Sequence, residues 1–261
     1  MKIGGLTVGV FRSSVCVLVT ALYFAVAGPS IADPSTEATK AAAEQGNAEE
    51  QASLGVMYEF GIGVIQDYAA AVRWYRLAAE QGNAPAQARL AEMYDNGEGV
   101  PQDYAEAVRW YRLAAEQGLA FAQGNLGFMY YNGKGVPQDY AEAVRWYRFA
   151  AEQGDAPAQA NLGFMYENGI HVPQDYTKAV RWYRLAADQG TAFAQGSLGI
   201  MYDNGQGVPQ DYVMAHMWSN LAAAQGNALA SKNRGITASK MTSGQIAEAQ
   251  RLAREWERKA N

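Results

Sequence analysis

The block from Val100 to Gly118, VPQDYAEAVRWYRLAAEQG, returns with light editing every 36 residues along most of the chain. Gly46, Gly82, Gly118, Gly154, Gly190 and Gly226 keep this spacing, as do Leu54, Leu90, Leu126, Leu162 and Leu198, and Trp74, Trp110, Trp146, Trp182 and Trp218. Self-similarity at such a period means an array in which each unit buries its apolar face against its neighbours, and no single unit folds alone.

Within a repeat the pattern predicts two helices. In the second unit Asn83 can cap a helix A running through Leu90, Met93 and Tyr94, which Asn96-Gly97-Glu98-Gly99 ends with residues that tolerate positive φ. After Pro101, Asp103 with Glu106 three residues on opens a helix B that runs to Gln117 and stops at Gly118. Leu90, Met93 and Tyr94 on helix A and Ala107, Val108, Tyr111, Ala114 and Ala115 on helix B share helical spacing and should form the seam. Trp110 and its equivalents should add large buried area, about 1.5 to 3 kcal/mol per fully buried side chain.

The pattern A-x-L-G-x-M-Y-x-x-G-x-G-V-x-x-D-Y-x-x-A-x-x-W-Y-x-x-A-A-x-Q-G, followed from about Thr36 to Gly226, resembles the Sel1-like repeat family, related to the tetratricopeptide repeat. The resemblance implies an all-α, right-handed solenoid of helix-turn-helix units that acts as an adaptor or scaffold for other proteins, with no shared catalytic residues. Five repeats would occupy residues 47–226, preceded by a partial capping helix at 33–46 and followed at 227–261 by a degenerate repeat and a C-terminal capping helix. In that last helix Thr242 to Gln245 can form a capping box, and Ile246, Ala249, Ala253 and Trp256 lie along one stripe. Departures from the pattern are few. Ile65 replaces the loop proline, Ala91 a helix glycine and His171 the second loop glycine, and the fifth helix B loses its arginines around His216.

Residues 1–32 carry Lys2 and Arg12, an apolar run from Val15 to Ala27 and then small residues, the order of a cleaved export signal with cleavage after Ala27 or Ala32. A spanning helix needs roughly 20 apolar residues, so stable membrane insertion after cleavage is not expected. The expected location is periplasmic or secreted. Cys16, the one cysteine, would leave with the signal, and so would two positive charges and no acidic group, taking the formal charge from -5 to -7. A moderately acidic exported chain is a poor binder of nucleic acid, and a monomer is expected.

No chemistry stands out. The two histidines, His171 and His216, sit in no metal-ligand spacing, and neither a nucleophile elbow nor a phosphate loop is present, so no catalytic, metal or cofactor site is expected. The Gly-x-Gly-Val turn follows a helix and recurs, which is elbow geometry. A cysteine-rich branch of the Sel1-like family is linked to β-lactam binding and hydrolysis, but its paired cysteines are missing here. The arginine pairs Arg73/Arg76, Arg109/Arg112, Arg145/Arg148 and Arg181/Arg184 would form a basic stripe fit for an anionic polymer or peptidoglycan. Glutamates three residues before and acids four residues after favour a salt-laced solvated face instead.

The informative positions are those where the repeats disagree. Stacking locks structural positions to a common residue, while a surface that meets a non-repetitive partner is free to vary. On helix A the variable columns fall at i, i+4, i+7 and i+11, one face of the helix. Arg89, Glu92, Phe121, Asn125, Phe128, Asn161, Phe164, Phe193 and Ser197 are the candidate partner-binding residues, a concave groove suited to a peptide or another protein. Polar groups are usually exposed, so Arg89, Asn125 and Asn161 are expected at its surface. Phe128, Phe164 and Ile200 could equally fill packing between adjacent A helices.

Overall fold

In a computed structural model the described residues, 34–260, form thirteen helices: α1 (Pro34–Glu44), α2 (Ala48–Phe60), α3 (Tyr68–Glu80), α4 (Ala84–Asn96), α5 (Tyr104–Glu116), α6 (Ala120–Asn132), α7 (Tyr140–Glu152), α8 (Ala156–Asn168), α9 (Tyr176–Asp188), α10 (Ala192–Asn204), α11 (Tyr212–Ala224), α12 (Ala228–Ala238) and α13 (Ser243–Ala260). No strand occurs among these residues. The expected export signal lies outside them. The chain divides into two compact units, one ending at Asp139 and one beginning at Tyr140. Each is a stretch of all-α repeat solenoid. In the first unit α1 to α6 pack in consecutive order, and α2 also touches α4; in the second α7 to α12 do the same, with α10 touching both α8 and α12.

The local signals work as their chemistry requires. Asn83 accepts the amide of Ala86, Asp103 those of Ala105 and Glu106, and Gly61, Gly97, Gly133, Gly169 and Gly205 close the A helices in the left-handed region. Thr242 and Gln245 form the reciprocal capping box at α13. Leu90, Met93, Ala107, Val108, Tyr111, Ala114 and Ala115 are buried and make the seam. A helix end leaves carbonyls without partners, and glutamines take this role throughout. Buried Gln87 donates 3.0 Å to the carbonyl of Ala79 and accepts 2.8 Å from Gln117, while Gln159 and Gln195 make the same pair of bonds in the second unit. In the elbows Gln66, Gln102, Gln138, Gln174 and Gln210 clasp the last carbonyls of the preceding A helix. These clasps explain why the repeat keeps a glutamine at three fixed places.

Two sequence expectations need adjusting. Arg109 and Arg145 do pair with Glu106 and Glu142, at 3.2 and 3.3 Å, and lie over Trp110 and Trp146. The second arginine of each pair does not take the acid four residues on. Arg76, Arg112 and Arg148 donate instead to the hydroxyls of Tyr94, Tyr130 and Tyr166, and Arg184 to that of Tyr202, tying helix B to the next helix A. Trp110, Trp146 and Trp218 are buried, but Trp74 and Trp182 only half so. His171 adopts φ 54°, the left-handed conformation its glycine equivalents supply without strain. The equivalent glycines also touch backbone: a side chain at Gly99 would strike the Tyr68 carbonyl, and one at Gly207 the Tyr176 carbonyl. At the C-terminal end Ala249 and Ala253 are fully buried, α13 packs on α11, and Trp256 meets Trp218 edge-on at 6.2 Å.

Candidate partner-binding face

The first unit has a cavity of about 310 Å³ on the A-helix side. Ser53 and Val56 of α2, Pro85, Ala88 and Arg89 of α4, and Phe121 at the start of α6 line it, with Tyr75 of α3 and Leu119. Its walls are mostly apolar, and Arg89 is the one charged residue that lines it. Arg89 is 9% exposed, donates to Glu92 at 3.1 Å and approaches Glu59 at 3.4 Å, and its guanidinium lies over Phe60. Glu59, also buried, accepts a short hydrogen bond from the Tyr75 hydroxyl. Burial together with the Glu59 carboxylate pushes the Tyr75 phenol far above its ordinary range, so it stays a donor. The second guanidinium nitrogen, Nη2, is buried with no hydrogen-bond partner.

The second unit repeats the arrangement with different residues. Its depression on α10 and α12, lined by Phe193, Ser197, Ile200, Leu229 and Asn233, is only about 40 Å³. Phe193 fills the space: its ring meets Tyr183 at 5.8 Å and Phe164 at 6.3 Å, both edge-on. Tyr183 donates to Glu167 at 2.6 Å, as Tyr75 does to Glu59. Burial raises the Glu167 carboxyl while the tyrosine hydrogen bond pulls it back.

The sequence-selected residues divide accordingly. Arg89 and Phe121 meet at the first cavity, Phe193 and Ser197 at the second depression, and Phe164 packs against Phe193. Glu92, Phe128 and Ser197 are half-buried. The expected exposure of the polar members is corrected. Asn125 and Asn161 are 1% and 2% exposed, and Asn125 donates 3.2 Å to the Phe121 carbonyl of its own helix. A polar side chain on a face flanked by neighbouring A helices is covered by them and must find its partners inside. Glu59 and Glu167 escaped the sequence reading, although each stands sixteen residues before the tyrosine it binds. Among the described residues no cluster of histidine, cysteine or acid could hold a metal, and no helix is long and apolar enough to cross a membrane. His171 lies in an elbow and His216 is buried on α11.

Stacked helix hairpins with a fixed elbow and variable A-helix columns define a helical-repeat protein. The chain belongs to the Sel1 repeat family: the family model matches residues 51–83, 84–119, 120–155, 156–191 and 192–227. It is similar to a protective antigen present in uropathogenic Escherichia coli strains displaying an SLR fold, with 39% identity over 87% of this chain and a TM-score of 0.75. It spans about half that antigen's length, 48%. A Sel1 repeat protein from Oxalobacter formigenes is 38% identical over 76% of this chain and 79% of its own, with a TM-score of 0.67. No curated protein matches the chain. Sel1-repeat proteins are generally protein-interaction scaffolds without enzymatic activity.

Proposed function

We propose that this chain is an exported, non-enzymatic adaptor of the cell envelope that holds another protein or peptide, as a monomer, on its A-helix face. The apolar depressions on that face carry the reading, because residues of the columns where the repeats differ, Ser53, Val56, Pro85, Arg89 and Phe121 in the first and Phe193, Ser197 and Ile200 in the second, line much of them. Export rests on the pattern of residues 1–32. A polymer scaffold would use the helix B arginines, and these are largely engaged with glutamates, tryptophans and tyrosines. The test is crosslinking capture from envelope extract, comparing wild type with Ser53→Arg/Asn233→Arg on the A face and with Arg109→Glu/Arg145→Glu on helix B. A single protein lost only with the A-face variant supports the reading. Salt-sensitive polymer lost with the helix B variant contradicts it. N-terminal sequencing of the exported protein tests cleavage, with a start at Gly28 or Asp33 expected.

A further inference from the structure

Exposed apolar side chains crowd the first elbow. Phe60, Ile62, Ile65 and Tyr68 are 49%, 44%, 91% and 40% exposed. A tyrosine recurs at the last of these positions in every repeat, but the other three set this elbow apart. Phe60 stands where every later elbow has an asparagine, and Ile65 where every later elbow has a proline. Ile62 stands where Glu98, Lys134, Ile170 and Gln206 do, and Ile170 is half-buried. No charged residue falls between Glu59 and Asp67. The fold does not call for this surface. Gly61 closes α2 and Gln66 clasps the Glu59 carbonyl just as their equivalents do in the polar elbows. Phe60 gives one side of its ring to Arg89 and leaves about half its surface open. A contiguous apolar surface that the stack does not require marks a contact with something apolar.

Shape and place select the occupant. Ile65 projects from a turn, with no walls beside it to grip a peptide or a helix. A lipid-water interface needs no such walls, because it takes apolar side chains without shape complementarity and holds a tyrosine at its polar boundary. The elbow also lies against the start of the described chain: Thr36 of α1 is buried, and a side chain at Gly63 would strike its hydroxyl. Only six residues separate Pro34 from Ala27, the end of the apolar run of the expected export signal. Such a stretch reaches about 25 Å at most, so a signal lying in a bilayer keeps this elbow at the bilayer surface. Resting on the export reading above, we propose that the first elbow is a membrane-seating tip. Phe60, Ile62 and Ile65 dip into the lipid-water interface beside the export signal and hold the chain there until the signal is cut. The three side chains offer less open apolar surface than a myristoyl chain, which itself binds membranes only marginally. The tip therefore holds only while the signal keeps its local concentration high, and cleavage lets it go.

The chain from Asp33 onward has no cysteine, so a single introduced one reports its own surroundings. Ile65→Cys carries an environment-sensitive nitrobenzoxadiazole label at the tip, and Pro101→Cys carries it at the same position of the second elbow. Each chain, from Asp33 onward with an N-terminal hexahistidine in place of the signal, is tethered to phosphatidylcholine vesicles that contain a nickel-chelating lipid. Emission from position 65 is expected to shift to the blue on tethering and to return when imidazole releases the chain, while emission from position 101 stays as in water. Ile62→Glu, the residue of the second elbow, should lower the seated fraction about tenfold with the circular dichroism unchanged. An unshifted label at position 65, an equal shift at position 101, or full seating of the Ile62→Glu chain overturns the proposal. So does a shift that appears without vesicles as the chain is concentrated, which would assign the elbow to a second copy. N-terminal sequencing of the exported protein separates the two readings. No shift in a protein found cleaved at Gly28 or Asp33 removes the tip and leaves export standing. A shift in a protein found uncleaved supports the membrane contact and overturns the cleaved export on which its release rests.

Discussion

The first and second units present the same helical face and finish it differently. Around Tyr75 the first unit leaves a cavity walled by Val56 and Pro85, with an arginine held between two carboxylates. Around Tyr183 the second unit places Phe193 against the ring, with Phe164 behind it, and a serine where the arginine stood. The repeat framework is indifferent to this choice, since caps, glutamine clasps and the leucine and alanine seam are the same in both. What differs is confined to columns that do not hold the stack together. A repeat array can therefore fill one stretch of its A-helix face and leave another open without altering the fold.

Substitution can convert one finish into the other. The largest effect is expected at Arg89→Ser, which gives the first unit the residue of the second but leaves Glu59 buried without its cation; the loss should be about 3 kcal/mol by urea unfolding. A change well under 1 kcal/mol would mean that the Arg89 contact does not stabilise Glu59. Phe193→Ala should reopen the second unit, costing about 2 kcal/mol because the ring is half-buried, and should raise its depression toward the volume of the first in a crystal structure. If Leu229 and Ile200 collapse into the gap, the cost will be smaller and no cavity will appear.

Smaller effects test the framework the two units share. His171→Gly should stabilise the chain by about 1 kcal/mol, since it relieves a left-handed backbone that a histidine holds at a cost. His216 supplies a pH dependence confined to the second unit. Burial, and the neighbouring Arg234 charge, hold its pKa below the ordinary 6.5, so the unfolded chain binds its proton first as pH falls. Stability from this group is complete above about pH 6.5 and declines below it. His216→Gln should flatten that decline, read from Trp218 fluorescence during urea unfolding at pH 5 and pH 7.5; an unchanged slope would mean that the imidazole is hydrated on α11.

Much of this was legible in the sequence. Asn83, Asp103 and Thr242 signal helix starts through their own backbone hydrogen bonds, and the leucine and alanine columns follow from helical periodicity, so elements and seam can be read without coordinates. The variable columns also showed which face would carry the differences. Burial on that face was not legible, because a helix lying between two others covers polar as well as apolar side chains, and the sequence does not say how far apart those neighbours stand. Asn125 and Asn161 were misjudged for this reason. The cavity was hidden too: Pro85 reads as an ordinary first-turn residue until Phe121 and Phe193 show what fills that space elsewhere.

The central claim is that the A-helix face meets another protein. The most direct measurement places a photo-crosslinking benzoylphenylalanine at Ser53, an exposed residue on the rim of the first cavity, and in a second chain at Arg109 on helix B. Illumination in envelope extract is expected to yield a discrete adduct with one protein from position 53 and none from position 109. Adducts only from position 109, or the same diffuse material from both, would contradict the assignment of this face.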